Sequence, residues 1–207
     1  MKQRRAVLFD VDGVLLDSTA ANIAFYRELF RQIGDIIPTN EDLAANNHVS
    51  MEGMLRRFYP DRSDQTIHDW IQLGDRIDTG LELLRPMPGV LEVIPRLAKQ
   101  YHLGLATNRT LAAVEELWKV VPLAKYFTAI SAYETTEHHK PDPEPLLHAL
   151  EVLGVQPLEA AFVGDAETDL EAGLAAGVDV IILGQEQWPG AKETISSLTE
   201  LPLVLAR

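Results

Sequence analysis

The sequence contains no cysteine among its 207 residues. Disulfide bonds, thiolate metal sites and cysteine nucleophiles are therefore excluded as sources of its stability or chemistry. Positive charge is also scarce, because 18 lysines and arginines stand against 31 aspartates and glutamates, for a net charge of −13. Since nucleic acids and anionic membranes bind basic surfaces, we expect neither as a partner. A small phosphorylated ligand stays compatible with this charge, because a metal ion and a lysine can make one cleft locally positive.

Long apolar runs are absent as well. No uncharged stretch approaches the about 18 residues that a membrane-spanning helix needs. The basic start, Met1 to Arg5, is followed by an apolar segment that Asp10 ends too early for a signal peptide. We therefore expect a soluble, cytoplasmic protein. The sequence also shows no internal repeat and no low-complexity segment.

We expect the chain to be organised around the stretch from Phe9 to Ser18. Ahead of it, Ala6–Phe9 is a short apolar run typical of a buried parallel strand. Asp10 and Asp12 follow where this strand should end, and Gly13 lets the backbone turn away. Ligands of open α/β sheets bind just beyond the carboxyl ends of the strands. Because two neighbouring carboxylates repel each other unless a cation or a proton lies between them, this pair predicts a metal site.

The rest of the chain divides into a helical part and an alternating part. Between residues 18 and about 85, apolar residues recur at helical spacing, including a longer helix from Ile67 to Leu84 with Ser63 or Asp64 as its N-cap. This block predicts a small separate lobe that exits through Arg85–Gly89. From residue 86 onward, helical segments alternate with further apolar strands, at 103–107, 127–131, 160–163 and 178–183. Such alternation predicts an α/β fold with a parallel sheet.

Polar residues follow later strands too. Thr107 and Asn108 come at the end of one strand, Lys140 stands in the sequence Lys-Pro-Asp-Pro, and Asp165 and Asp169 follow another strand. Taken singly, each has an ordinary structural explanation as a turn residue, a solvated lysine or an N-cap aspartate. Several such features in this order on a predicted parallel sheet indicate one functional site.

In this pattern the chain resembles the haloacid dehalogenase-like (HAD) superfamily. FDVDGVLLDS resembles its first motif, the strand ending at Thr107-Asn108 its second, Lys140 its third and GDAETD its fourth. The helical block is similar to the C1-type cap of the phosphoglycolate phosphatase and β-phosphoglucomutase branch. The resemblance implies a Rossmann-like parallel sheet in the order 3-2-1-4-5 with an inserted helical cap domain. It implies an α/β core domain at residues 1–16 and 86–207 and a cap at residues 17–85.

The resemblance also implies a role for each acidic motif residue. Asp10 would be the nucleophile that forms an aspartyl-phosphate, and Asp12 the general acid and then the general base. The implied cofactor is Mg²⁺, held by the Asp10 carboxylate, the Asp12 backbone carbonyl and Asp165. Asp169 would orient a ligand or a metal-bound water.

The remaining motif residues would bind the phosphoryl group. By the same resemblance, Lys140 would hold the Asp10 carboxylate and the phosphate oxygens, while the Thr107 hydroxyl and the Asn108 backbone N–H would donate to the transferring group. Asp12 further favours phosphate-ester chemistry, because the dehalogenases and phosphonatases of this superfamily lack an aspartate at that position.

These implications lead to one leading hypothesis and two alternatives. We expect a Mg²⁺-dependent, HAD-like phosphoric monoester hydrolase acting on a small phosphorylated metabolite, such as a sugar phosphate or phosphoglycolate. A phosphosugar mutase of the β-phosphoglucomutase type stays open, and Val14, where the family often has threonine, favours it slightly. A non-catalytic phospho-ligand-binding protein is disfavoured, because every motif position keeps a competent residue. We expect a monomer or a weak homodimer.

Substrate specificity should come from the helical block. Candidates are Asn22, His48, Arg56 and Arg57, although each also has an ordinary explanation as a loop residue or a solvated helix face. The adjacent pair His138-His139 could suggest a metal site, but adjacent loop histidines more often serve solvation. We therefore do not assign a metal to that pair.

Overall fold

The computed structural model describes residues 4–34, 36–46, 49–74, 76–77 and 81–207. Contacts within the chain divide it into two compact units, one of residues 1–17 and 85–207 and one of residues 18–84. His48, a candidate for specificity, lies outside the described residues. No helix within the described ranges is both long and apolar enough to cross a lipid bilayer.

The strands of the first unit form two sheets. In chain order they are β1 (Ala6–Phe9), β2 (Leu16–Asp17), β3 (Arg85–Pro86), β4 (His102–Ala106), β5 (Phe127–Ser131), β6 (Ala160–Gly164), β7 (Asp179–Leu183) and β8 (Glu193–Ile195). The main sheet is parallel, in the order β5-β4-β1-β6-β7-β8, and β2 pairs with β3 in an antiparallel ribbon. The predicted α/β fold is thus confirmed, because the strands expected from the sequence take the order 3-2-1-4-5.

Three strands were not expected from the sequence. β8 extends the main sheet beyond β7, while β2 and β3 form the small ribbon. Each of them has at most one buried residue. An apolar run or a clear alternation needs several buried positions, so strands this short leave no periodic pattern to detect.

The register of the main sheet brings the strand ends to one edge. Phe9, the last residue of β1, pairs with Leu105 of β4 and with Val163 of β6. The Asp10 N–H extends this ladder by donating to the Val163 carbonyl over 2.9 Å. All four residues of β1 are fully buried, and since successive side chains point to opposite faces, both faces of the sheet are covered there. The residues that follow β1, β4 and β6 therefore emerge side by side.

The helices in chain order are α1 (Thr19–Ile33), α2 (Asn40–Ala45), α3 (Met51–Phe58), α4 (Asp64–Gly74), α5 (Val90–Leu97), α6 (Leu111–Val120), α7 (Glu144–Leu153), α8 (Glu167–Ala176) and α9 (Leu201–Leu205). In the first unit, α7 packs on β5, β4 and β1, and α8 packs on β6 and β7. Leu8, Leu146, Leu150, Phe162 and Val180 belong to the buried cluster between these helices and the sheet. This core fixes the strand ends that carry the acidic residues.

The second unit consists of α1 to α4 around an aromatic core. Phe30 stacks on Tyr59 with ring centroids 5.8 Å apart, and Tyr59 contacts Trp70 at 4.8 Å. α1 ends at Ile33, and Gly34 follows it with a left-handed φ of 98°. Ser50 caps α3, because its hydroxyl accepts the Gly53 N–H.

The helix predicted from Ile67 to Leu84 is shorter in the structure. α4 ends at Gly74, and the N–H groups of the next described residues, 76 and 77, bond to carbonyls only three residues back. Leu81–Leu83 form a separate 3₁₀ turn. The apolar spacing continues past Gly74, but glycine weakens a helix because ordering its backbone costs more entropy than for other residues.

Candidate active site

The first acidic loop begins where β1 ends. Asp10 is buried there, and the loop turns back so that the Gly13 N–H donates to the Leu16 carbonyl over 2.9 Å. Gly13 has a φ of 68°, a left-handed conformation that favours glycine. A Cβ at Gly13 would lie 1.8 Å from Asp165 Oδ2. Gly13 therefore turns the chain and also lets the Asp165 carboxylate approach this loop.

Three carboxylates meet at the carboxyl edge of the sheet. Asp10, Asp165 and Asp169 each offer an oxygen, and these oxygens lie within 4.8 Å of one another. Mg²⁺ prefers hard oxygen ligands of this kind. The donor set therefore fits a divalent cation, with Asp10 from the end of β1 and the other two from the loop and helix after β6.

Lys140 lies between two of these carboxylates. Its Nζ is 2.7 Å from Asp10 Oδ1 and 2.6 Å from Asp169 Oδ1, and its side chain is only 3% exposed. Burial alone would lower the pKa of Lys140, but the attraction of the two carboxylates outweighs burial and raises it. The lysine is therefore charged at neutral pH and neutralises part of the acidic cluster.

Asp169 is fixed by the start of α8 as well as by Lys140. Its Oδ2 accepts the backbone N–H groups of Asp165 at 3.0 Å and Ala166 at 3.2 Å. A Cβ at Gly164 would lie 2.4 Å from the Asp169 Cβ, so this close approach requires glycine. Asp169 thereby ties the strand end after β6 to Lys140.

The burial of this cluster changes the affinity of its carboxylates for protons. Burial raises the pKa of Asp10 to about 7; Lys140 lowers it, while the charges of Asp169 and Asp12 raise it. Burial also raises the pKa of Asp165 to about 8, and the charges of Asp10 and Asp169 add to the increase. A raised carboxyl pKa means that the ionised form is disfavoured at this position. The cluster is thus short of positive charge.

Asp12 is held by Arg109, a residue that the sequence analysis missed. Arg109 Nε donates to Asp12 Oδ2 and Nη2 donates to Oδ1, both over 2.7 Å. Burial alone would lower the pKa of Arg109, but the attraction of Asp12 raises it. The signal that could have found this residue is its position directly after Thr107-Asn108 at the end of β4.

Thr107 and Asn108 also lie at this edge. Thr107 is buried, and its Oγ1 accepts the Arg109 N–H over 3.2 Å. The Asn108 side chain donates to the Lys140 carbonyl and accepts the Lys140 N–H, each over 3.0 Å. This clamp on the Lys140 backbone was not expected from the sequence, which suggested only a backbone role for Asn108.

The structure places the other candidates in local side-chain contacts. In the second unit, Asn22 donates to the Ser18 hydroxyl, Arg56 pairs with Glu52 and Asp64, and Arg57 is exposed. In the first unit, His138 contacts Glu144 at 2.8 Å, and the ring of His139 stacks on Tyr133 with centroids 3.8 Å apart.

Comparisons relate the chain to known proteins. A family model described as haloacid dehalogenase-like hydrolase matches residues 7–183, a range that includes all of the motif residues. The chain is 30% identical over 227 residues to a phosphoglycolate phosphatase of Chromobacterium violaceum, covering 97% of this chain and 96% of that protein. It is 30% identical over 172 residues to the pyrophosphatase PpaX of Bacillus cereus, covering 83% and 79%. A solved HAD-superfamily hydrolase of subfamily IA, variant 1, from Geobacter sulfurreducens is similar with a TM-score of 0.74 and 29% identity, over 98% of this chain and 96% of that chain.

Proposed function

The chain belongs to the haloacid dehalogenase-like hydrolases, and from that premise we propose that it is a Mg²⁺-dependent phosphatase that works through an aspartyl-phosphate. It is an enzyme, a phosphoric monoester hydrolase of that family. The observation that carries the proposal is the contact of Lys140 with both Asp10 and Asp169. This contact fixes a buried carboxylate at the carboxyl end of the central strand, beside a group of oxygen ligands.

The proposed reaction has two steps, both at Asp10. Asp10 Oδ1 is held by Lys140, which leaves Oδ2 to attack the phosphorus of a phosphate monoester. The bond from phosphorus to the leaving oxygen breaks, and Asp12 donates a proton to that oxygen. Asp12 then takes a proton from water, whose oxygen attacks the phosphorus and releases inorganic phosphate and Asp10. Asp12 gives one proton and regains one, so it ends the cycle unchanged.

The charge of the site supports a divalent cation. The clustered carboxylates of residues 10, 165 and 169 carry −3 when all are ionised, whereas Lys140 supplies +1. The formal balance of −2 is the charge that one Mg²⁺ neutralises. When bound, the ion would offset negative charge on the oxygens of the transferring phosphoryl group.

The acidic residues divide into ligands and a positioning residue. Asp10, Asp165 and the backbone carbonyl of Asp12 would hold the ion, because the carboxylate of Asp12 is bound by an arginine. Asp169 has one oxygen on Lys140 and the other on two backbone N–H groups. Its proposed role is therefore to orient the cluster rather than to bind the ion directly.

The phosphoryl group would be bound by Lys140, Thr107 and Asn108. Because Thr107 Oγ1 already accepts the Arg109 N–H, its hydroxyl proton stays available to donate to a phosphate oxygen. The Asn108 side chain positions Lys140, while its backbone N–H would donate to the same phosphate.

The substrate proposed is a small phosphorylated metabolite. This rests on the names of the relatives, which are a phosphoglycolate phosphatase and a pyrophosphatase. Residues 18–84, with Asn22, Arg56 and Arg57, would act as the cap that sets specificity. A cytoplasmic location and a monomeric or weakly dimeric state remain predictions.

The experiment that tests the proposal measures phosphate release from a panel of phosphomonoesters, with Mg²⁺ and with EDTA. It compares the wild type with Asp10→Asn and with Asp61→Asn, a matched control at an exposed position. We expect Mg²⁺-dependent turnover in the wild type and the control, and a loss of about 1,000-fold or more in Asp10→Asn, because removing a nucleophile removes the covalent route. Comparable activity in Asp10→Asn would contradict the aspartyl-phosphate mechanism.

The same experiment separates hydrolysis from phosphosugar mutase activity. A mutase would release little net phosphate, and a sugar bisphosphate would stimulate interconversion of sugar phosphates. Binding of phosphorylated ligands without turnover under any of these conditions would favour a non-catalytic protein instead.

A further inference from the structure

Arg109 and Asp12 form the more exposed ion pair of the active site. The Arg109 and Asp12 side chains are 16% and 29% exposed, whereas those of Lys140 and Asp10 are 3% and 11% exposed. Lys140 is already engaged by two carboxylates. Arg109 is therefore the cation of this cluster that a molecule arriving from solvent can reach more easily.

The backbone of Arg109 is anchored, although its side chain is long. Its N–H donates to Thr107 Oγ1 over 3.2 Å, and its carbonyl accepts the Tyr133 N–H over 2.8 Å. These two bonds fix the Cα of Arg109 at the end of β4. The guanidinium can then exchange one partner for another by rotation about side-chain bonds, without displacing the phosphate-binding Thr107.

The position of Asp12 shows which part of a substrate Arg109 would meet. In the proposed mechanism Asp12 donates a proton to the leaving oxygen, so the leaving group lies beside the Asp12 carboxylate. Arg109 binds that carboxylate through two parallel bonds of 2.7 Å. A carboxylate on the leaving group would offer the same two oxygens to the same planar fork.

We propose that Arg109 is a specificity-determining residue that binds a carboxylate on the leaving group, exchanging the Asp12 carboxylate for that of the substrate. The preferred substrates are then phosphate monoesters of short hydroxy acids. The exchange also releases Asp12 from its bidentate contact at the moment when it must face the leaving oxygen. This inference rests on the proposed phosphatase function and names the substrate class of the same site.

The test compares substrates that differ only in this carboxylate. One pair is 2-phosphoglycolate and 2-hydroxyethyl phosphate, and the other is 3-phosphoglycerate and glycerol 3-phosphate. The value of kcat/KM is measured with Mg²⁺ for the wild type, Arg109→Gln and Arg109→Lys. Arg96→Gln, which removes an exposed arginine from α5, is the matched control.

We expect the wild type and Arg96→Gln to prefer the carboxylate member of at least one pair. Arg109→Gln should lose about 10- to 100-fold more kcat/KM on that carboxylate substrate than on its neutral partner, because a charged hydrogen-bonding contact is lost. Arg109→Lys should recover part of the preference for the carboxylate substrate, since lysine keeps the positive charge but lacks the two parallel N–H donors of the guanidinium. Any loss common to both members of the pair reports the effect of Arg109 on Asp12.

Two results would overturn the inference in different ways. If the wild type hydrolyses both members of each pair equally well, or if Arg109→Gln lowers both by the same factor, Arg109 only positions Asp12 and the phosphatase function stands. If the wild type releases phosphate from none of these compounds nor from the wider panel, the proposed function and the inference both fail.

Discussion

Replacing Lys140 with methionine should destabilise the protein strongly, because it leaves two buried carboxylates without their cation. Lys140 Nζ lies within 2.7 Å of both Asp10 and Asp169, and its side chain is 3% exposed. Breaking a buried ion pair by removing one partner costs about 3–5 kcal/mol. For a chain of this size each kcal/mol lowers Tm by about 2–4 °C, so the expected decrease is about 6–20 °C.

The pH dependence of this loss identifies its cause. The pKa of Lys140 is raised, so the lysine stays charged between pH 6 and 9 and any change in that range comes from the carboxylates. Lys140 lowers the pKa of Asp10, so its removal raises that pKa further above the unfolded value. When folding raises the pKa of a carboxyl, the free energy of unfolding falls as pH increases from the unfolded-state pKa to the folded-state pKa. The difference between wild type and Lys140→Met should therefore widen from pH 6 to pH 9.

The assay is thermal and urea-induced unfolding in EDTA at several pH values, with Lys99→Met as the matched control at an exposed lysine. The control should stay within about 0.5 kcal/mol of the wild type, as surface substitutions usually do. A Lys140→Met protein as stable as the control at pH 9, or one whose deficit does not depend on pH, would refute the reasoning.

Two further predictions concern the metal site. Gly13→Ala should weaken Mg²⁺ binding by at least about tenfold, because its Cβ would displace the Asp165 carboxylate, whereas Gly154→Ala, with a similar φ of 64° but open space around it, should leave Mg²⁺ affinity unchanged. Equal affinities in calorimetric titrations of the two variants would contradict this. Mg²⁺ affinity should also fall as pH decreases from 9 to 6, by up to about tenfold per pH unit for each proton displaced, because Asp10 and Asp165 have pKa values of about 7 and 8. Titration in buffers of different ionisation enthalpy should detect the released protons, and a pH-independent affinity would argue against these carboxylates as ligands.

The main sheet could be predicted because its strands carry a strong local signal. β1 and β5 occupy the residues expected for them, since each is a short apolar run bounded by polar or turn residues. The carboxyl-edge position of Asp10 and Asp165 follows from the parallel topology alone. β8 could not be predicted in this way, because its place is set by pairing with β7 rather than by its own three residues.

The contacts that tune the site were less accessible from sequence. Arg109 meets Asp12 across 97 positions, and Asn108 meets Lys140 across 32. Such pairs form only where two loops lie close enough for their side chains to touch. The type of a residue alone does not show which partner it contacts. The sequence therefore predicted which loops carry the site, but the hydrogen-bond partners of Arg109 and Asn108 could be identified only from the structure.

The division of Lys140 between two carboxylates explains how the nucleophile can stay reactive while it is buried. If Lys140 contacted Asp10 alone, its charge would be concentrated on the attacking carboxylate and would weaken it as a nucleophile. Asp169 draws the ammonium towards α8 at 2.6 Å, while its second oxygen is held by two backbone N–H groups. Lys140 lowers the pKa of Asp10, but burial and the charges of Asp169 and Asp12 keep it raised to about 7, so the lysine offsets the effect of burial only in part. The positioning of Asp169 by the start of α8 is thus part of the chemistry proposed for Asp10, although Asp169 itself need not touch the substrate.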